Sequence, residues 1–181
     1  MGVIGYRGSN PTGRVWYNHM PAKQIRALVG EAVWNNYFKF CVIRNPFDKV
    51  VSFWWQIVNA KFAYPYKEED FAQVRSDFSR WCVSHVSDAT DRDKYLIDDK
   101  VSMDCFIRYE SLADEVKRVC QRVGYPFEPD RLGRYKGDYR AVSRPFAEYY
   151  DKQSIAAVEA VFGWELTYFG YGRPSETGAS P

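Results

Sequence analysis

The stretch that decides the fold runs from Tyr37 to Val58, YFKFCVIRNPFDKVVSFWWQIV. Tyr37 to Arg44 is aromatic and β-branched and is bounded by Asn36 and Pro46, a pattern that predicts a buried strand. Pro46 fits the first turn of a helix, where its missing N–H costs nothing, and Asp48 favours the positive end of the helix dipole. Val50, Val51, Trp54, Ile57 and Val58 then recur at helical spacing. The unit therefore reads as strand, short turn, helix.

Working outward, the upstream segment PAKQIRALVG predicts a helix with Pro21 in its first turn, Gly30 past its end and Ile25, Leu28 and Val29 on one face. The helical turn EAVWNN follows. Downstream, 61–68 reads as a loop, 68–84 as a helix with Phe71, Val74, Phe78, Trp81 and Cys82 inward, and 87–93 as a polar loop. Strands are expected at 95–97 and 104–109, split by the turn Asp98-Asp99-Lys100. An amphipathic helix at 113–123 is closed by Gly124. A Pro/Gly-rich loop spans 125–145, and a last helix lies around 152–162. Strand–helix alternation favours an α/β layered domain. The expected domain is 1–171, with an irregular lead-in at 1–15 and a disordered tail at 172–181.

The 181 residues suit one domain, and a hydrophobic fraction of 46% is enough to fill its core, which excludes bulk disorder. No apolar run approaches the roughly 20 residues of a membrane helix. The 25 Lys and Arg against 23 Asp and Glu leave a formal charge of +2, so a protein that coats nucleic acid is not expected and any anion site must be local. Cys41, Cys82, Cys105 and Cys120 are dispersed, with no CxxC pair and no Cys/His cluster, which speaks against a zinc or dithiol centre and for free thiols. No signal-peptide pattern is present, and a reducing cytoplasm is the expected compartment.

Where a parallel strand runs into a helix N-terminus, backbone N–H groups and the helix dipole favour an anion. Arg44, at the strand's carboxyl end, could clamp a phosphate with a permanent, forked charge. Ser52, in the helix, could bring a hydroxyl to the same phosphate. Equally, Arg44 could simply pair with Asp48, with Ser52 an ordinary helix residue.

The residues FCVIRNPFDKVVSFWW resemble the segment that binds the 3′-phosphate of PAPS (3′-phosphoadenosine 5′-phosphosulfate) in sulfotransferases, whose pattern is a strand followed by R-[DN]-P-[FW]-x-[RK]-x-x-S. Arg44, Asn45, Pro46, Phe47, Lys49 and Ser52 fit it. YNHMPAKQIRALVGEAVWNNYFKF, FIRYESLADEVKRVCQRVG (with an RYE-x-L signature at Arg108, Tyr109, Glu110 and Leu112), RYKGDYR and FAEYYDKQSIAAVEAVF are similar, in chain order, to other parts of the carbohydrate-sulfotransferase-like branch. The likeness covers about residues 16–171.

The resemblance implies a P-loop-NTPase-like three-layer domain with a central parallel sheet. It implies transfer of a sulfuryl group from PAPS to a hydroxyl of a carbohydrate or small-molecule acceptor, with no metal. Arg44 and Ser52 would bind the 3′-phosphate. Lys136 and Arg140, in the late loop, would close over the donor or else remain solvated loop charges. His19 stands where one branch of the family places a general base, and a histidine titrates near working pH; alternatively it caps the Pro21 helix. His85 reads as a helix C-terminal residue, and Glu110 and Asp93 are reserve acid/base candidates. Trp54, Trp55, Tyr64 and Tyr66 could line an acceptor groove or serve as packing. The family's K-T-[AG]-[GST]-[ST] loop, which cradles the 5′-phosphosulfate, has no counterpart: RGSNPTGR at 7–14 carries no Lys. The resemblance therefore implies a domain N-terminally short of its first strand, loop and helix. It could be an enzyme lacking that element, or a degenerate nucleotide-binding module that keeps only the 3′-phosphate site.

Overall fold

Phe47, Val50, Val51, Trp54, Trp55 and Val58 are all buried along one face of a helix that starts at Pro46, and this face organises the molecule. The computed structural model describes residues 5–8, 10–61, 66–132, 140–142 and 144–174. In chain order its regular elements are α1 (Ala22–Val29), α2 (Glu31–Asn36), β1 (Phe40–Ile43), α3 (Pro46–Lys61), α4 (Phe71–His85), β2 (Leu96–Ile97), β3 (Lys100–Val101), β4 (Cys105–Arg108), α5 (Leu112–Val123) and α6 (Lys152–Phe169). Short 3₁₀ turns fill several of the connections.

The apolar stripe of α3 meets Val74, Phe78 and Cys82 of α4, Val158 and Phe162 of α6, and the pair Tyr149-Tyr150 that leads into α6. Aromatic rings dominate the contact and meet edge to face, as their quadrupoles prefer: Trp54 on Phe78 at 5.6 Å, Phe47 on Tyr150 at 5.1 Å and Phe78 on Tyr150 at 5.0 Å. Each buried polar tip has a partner. Tyr150 donates its hydroxyl hydrogen to the Phe47 carbonyl at 2.7 Å. Trp55 donates Nε1–H to the Tyr149 oxygen at 3.1 Å, and Tyr149 donates onward to the Val142 carbonyl at 2.7 Å. Trp54 and Trp55 are therefore core residues, Tyr66 packs against that core, and Tyr64 lies outside the described residues.

β1 and β4 pair in parallel, with Phe40 opposite Cys105 and Ile43 opposite Arg108. Their carboxyl ends therefore lie side by side, and these are the ends where ligands bind in open α/β sheets. Among the described residues the parallel sheet has these two strands, so the mixed α/β character is present in a smaller form than a three-layer domain with an extended central sheet. A second, smaller core joins Ala22 of α1, Trp34 of α2 and Ile97 of β2.

Two elements differ from the sequence expectation. Leu96–Ile97 is not a lone strand; it turns back through Asp98 and Asp99 to pair antiparallel with Lys100–Val101. Both aspartates have positive φ, at 49° and 60°, as a tight two-residue hairpin turn requires. α6 runs on to Phe169 and does not stop near 162, because the buried spacing Val158, Phe162, Glu165, Phe169 carries the packing stripe past Gly163. Asp151 and Ser154 cap its start reciprocally: Oδ1 of Asp151 accepts from the Ser154 N–H at 2.8 Å, and Oγ of Ser154 accepts from the Asp151 N–H at 2.9 Å. Gly170, at φ 68°, closes its end. Of the expected tail, Arg173 pairs with Glu159 and Pro174 is buried, while 175–181 lie outside the described residues.

Tyr149→Phe is expected to remove the relay between Trp55 and Val142 while keeping the ring packed. Removing the donor from the buried Val142 carbonyl should cost about 1–3 kcal/mol, read as a lower urea midpoint at unchanged m-value. An unchanged midpoint would show that the relay contributes nothing.

Candidate active site

The end of β1 places Arg44 beside the first turn of α3. Asn45 opens that turn, its side-chain oxygen accepting from the Phe47 N–H at 3.0 Å. Asp48 lies in that first turn, four residues after Arg44, with its carboxylate directed back at Arg44. Arg44 Nε donates to Asp48 Oδ2 at 2.5 Å, and Arg140 Nη2 donates to Asp48 Oδ1 at 2.5 Å. One carboxylate thus draws together two arginines that lie 96 positions apart in the chain. All three side chains are partly buried, at 23% (Arg44), 16% (Asp48) and 24% (Arg140) exposure, so their attraction is less screened than that of a surface pair. The Arg44 guanidinium also lies over the Tyr109 ring, 4.4 Å from its centroid.

Ser52 stands one turn beyond Asp48 and so on the same side of α3. Its side chain has no hydrogen-bond partner among the described residues and is partly exposed. Arg44 and Arg140 thus meet at the β1–α3 junction through Asp48, and Ser52 lies on the helix one turn beyond Asp48. Lys136 lies outside the described residues. Pairing of Arg44 with Asp48, one of the two sequence readings, is present, and it coexists with the cluster because Arg140 joins it.

The neighbouring strand end completes the wall. Glu110 accepts from the Asn45 N–H at 2.6 Å and from the Tyr171 hydroxyl at 3.0 Å. It ties β4, the start of α3 and the C-terminal segment together, and among the described residues it is not paired with an arginine. Arg108 donates to the Phe169 carbonyl at 2.5 Å and lies over the Tyr171 ring at 4.8 Å. Lys49 lines the same narrow depression as Arg44 and reaches the loop before β2. It donates to Asp91 at 2.6 Å, with its ammonium 4.8 Å from the Phe162 centroid. Beneath it, the buried Glu165 receives Arg92 through both oxygens, at 2.6 and 2.5 Å, and the Tyr95 hydroxyl at 3.0 Å. Burial first, and then the charges of Asp91 and Glu165, push the Tyr95 phenol well above its ordinary range, so it remains a donor.

His19 is exposed and has φ 59°. The start of α1 has no side-chain cap, so capping is not its role. It lines a cleft of about 400 Å³ with Tyr17, Met20, Ile25, Val42 and Asp91. Asp91 and Tyr95 also line the narrow depression that holds Arg44 and Lys49, so the two hollows share a wall. Cys41 borders the His19 cleft as well. Burial first, and then the nearby Asp91 charge, push its thiol up to about 12, which leaves it protonated and a poor nucleophile. His85 ends α4 and stacks on Trp81. Asp93 pairs with Lys94 at 2.6 Å.

Sequence reading placed Tyr109, Glu110 and Lys49 in family motifs, with Glu110 also read as a partner for a neighbouring Arg, but did not give the contacts of Tyr109, Glu110 or Asp91 seen here. The first two carry a signal, because they directly follow the strand that pairs in parallel with β1. Asp91 carries none, since nothing local in a polar loop indicates that it meets a lysine 42 positions earlier.

Among the described residues no group of three His, Cys, Asp or Glu is placed to hold a metal ion, and no helix is long and apolar enough to cross a membrane. Comparison with solved structures returns no match. An uncharacterized protein from Archaeoglobus fulgidus is 32% identical over 116 residues, covering 61% of this chain and 88% of that relative. The family model described as the sulfotransferase family matches residues 15–172, which include β1, α3, β4, α6 and the Arg44–Asp48–Arg140 cluster. The chain belongs to the sulfotransferase family.

Proposed function

We propose that this protein binds PAPS at the β1–α3 junction and transfers its sulfuryl group to a hydroxyl of a carbohydrate or small-molecule acceptor. The observation that carries this reading is the convergence of Arg44 and Arg140 on one oxyanion, with the Ser52 hydroxyl one turn away. A guanidinium has five N–H donors, and the Asp48 carboxylate occupies only some of them on each arginine. The remaining donors suit a phosphate, which is recognised by forked, charge-assisted hydrogen bonds. The N-terminal turn of α3 adds its dipole.

In the proposed step the acceptor oxygen attacks sulfur in line. A new O–S bond forms as the bond between sulfur and the phosphate oxygen breaks, and adenosine 3′,5′-bisphosphate leaves with that electron pair. His19 accepts the acceptor's hydroxyl proton through a ring nitrogen. Arg44, Ser52 and Arg140, with Lys136 of the late loop, hold the nucleotide. As in phosphoryl transfer, the protein's share of the work is chiefly positioning and charge stabilisation. The family supports a donor of this kind, and no residue here is asked to hold a metal.

One observation favours a second reading. The sequence contains no K-T-[AG]-[GST]-[ST] stretch to cradle the transferring group. A non-catalytic module that keeps only the 3′-phosphate site would account for the arginine cluster equally well. A sulfate-transfer assay with PAPS separates the two.

Arg44→Ala is expected to weaken binding of adenosine 3′,5′-bisphosphate by about 10- to 100-fold, the loss of a charged hydrogen-bond donor. Unchanged affinity by calorimetry would remove the nucleotide assignment. His19→Ala is expected to lower sulfate turnover by roughly 10²-fold or more, the contribution typical of a general base, with nucleotide affinity retained. Near-normal turnover would exclude His19 as the base.

A further inference from the structure

The start of α3 leaves one of its donors to a distant partner. The first N–H groups of a helix have no acceptor within it, and at many helix starts two residues satisfy them reciprocally. α6 does so: Asp151 accepts from the Ser154 N–H, and Ser154, the third helical residue, accepts back from the Asp151 N–H. α3 has half of this arrangement. The Asn45 side-chain oxygen accepts from the Phe47 N–H at 3.0 Å, and the third helical residue is Asp48, whose carboxylate suits the other half. Asp48 instead spends one oxygen on Arg44 and the other on Arg140, each at 2.5 Å. The Asn45 N–H is met from the turn that follows β4, by Glu110 at 2.6 Å. The second Glu110 oxygen accepts from the Tyr171 hydroxyl at 3.0 Å. Burial first, and then the Glu110 charge, push the Tyr171 phenol up, so it remains a donor that holds this carboxylate in place.

We propose that Glu110 is a positioning residue for the anion site: by taking the Asn45 N–H, it leaves the Asp48 carboxylate free to gather Arg44 and Arg140. The inference rests on the donor reading above and deepens it. With Glu110 removed, the Asn45 N–H is unpaired, and Asp48 stands at the helical position from which a capping box supplies the acceptor. A carboxylate turned back to that N–H no longer bridges the two guanidinium groups, which then repel each other. The sign of the effect separates this role from plain electrostatics. Glu110 is an anion near the cluster, so its charge alone opposes a phosphate, and on that ground its removal would tighten binding. A positioning residue has the opposite effect: its removal weakens binding. Tyr171, just past α6, acts on the cluster through Glu110.

The test has two readouts on the full chain. Calorimetry gives the ratio of affinities for adenosine 3′,5′-bisphosphate and adenosine 5′-monophosphate, which isolates the 3′-phosphate. NMR follows solvent exchange of the Arg44 Nε–H, which is protected while it is bonded to Asp48. Glu110 is exposed, so Glu110→Ala is expected to fold. That variant is expected to lower the affinity ratio by about fivefold, the order of one net hydrogen bond, and to speed exchange of the Arg44 Nε–H. Glu110→Gln, whose amide oxygen can accept the same N–H, is expected to keep the ratio within about twofold and the Nε–H protected. An unchanged or raised ratio in Glu110→Ala would overturn the proposal, as would a still protected Nε–H or a Glu110→Gln as impaired as Glu110→Ala. Faster Nε–H exchange in Glu110→Ala, in a protein that never distinguished the two nucleotides, would support the positioning role and overturn the donor reading alone.

Discussion

The ion bridge from Asp48 to Arg44 and Arg140 is the constraint on which the site depends. Two guanidinium groups brought near each other repel, and without an anion between them they would separate into solvent. Asp48 supplies that anion from the first turn of α3, where the helix dipole also favours a carboxylate. It anchors Arg140, in the late loop, to the strand end that carries Arg44. The geometry exists because α3 begins without slack. Pro46 and the Asn45 side chain set the first turn, and Phe47, buried immediately after, fixes the rotation of the helix.

That rotation partitions α3 by chemistry. Its apolar stripe enters the aromatic core, Asp48 turns back to the strand end, and Lys49 meets Asp91 in the depression it shares with Arg44. One helix therefore sets the core, the arginine cluster and the wall of the His19 cleft together. Glu110 joins the second strand to this unit through the Asn45 N–H. A substitution that turned α3 by one residue would disturb all of these contacts at once.

Much of this was legible in the sequence where the determinants are local. The strand-to-helix unit at 37–58 is written in β-branched residues, one proline and a helical apolar period, and Arg44 sits where that pattern ends. Gly124 marks a helix end by the positive φ it supplies. Legibility failed where the determinants are distant. Trp54 and Trp55 suited a groove as well as a core until the packing of α4 and α6 placed them inside. The extension of α6 past Gly163 depends on Glu165 finding Arg92 across 73 positions. The bridge from Asp48 to Arg140 spans 92 positions, and no spacing rule connects them. His19 was singled out as a base candidate by the family resemblance, but its cleft is assembled from the segment before α1, α1, β1 and the loop before β2, which no local pattern connects.

The central claim is that the Arg44–Asp48–Arg140 cluster recognises the 3′-phosphate of the donor. Calorimetric titration of the full chain with adenosine 3′,5′-bisphosphate and, in parallel, with adenosine 5′-monophosphate isolates that single group. The account predicts that removing the 3′-phosphate weakens binding by about 10-fold or more, in line with the loss of charge-assisted hydrogen bonds. Equal affinity for the two nucleotides would contradict it.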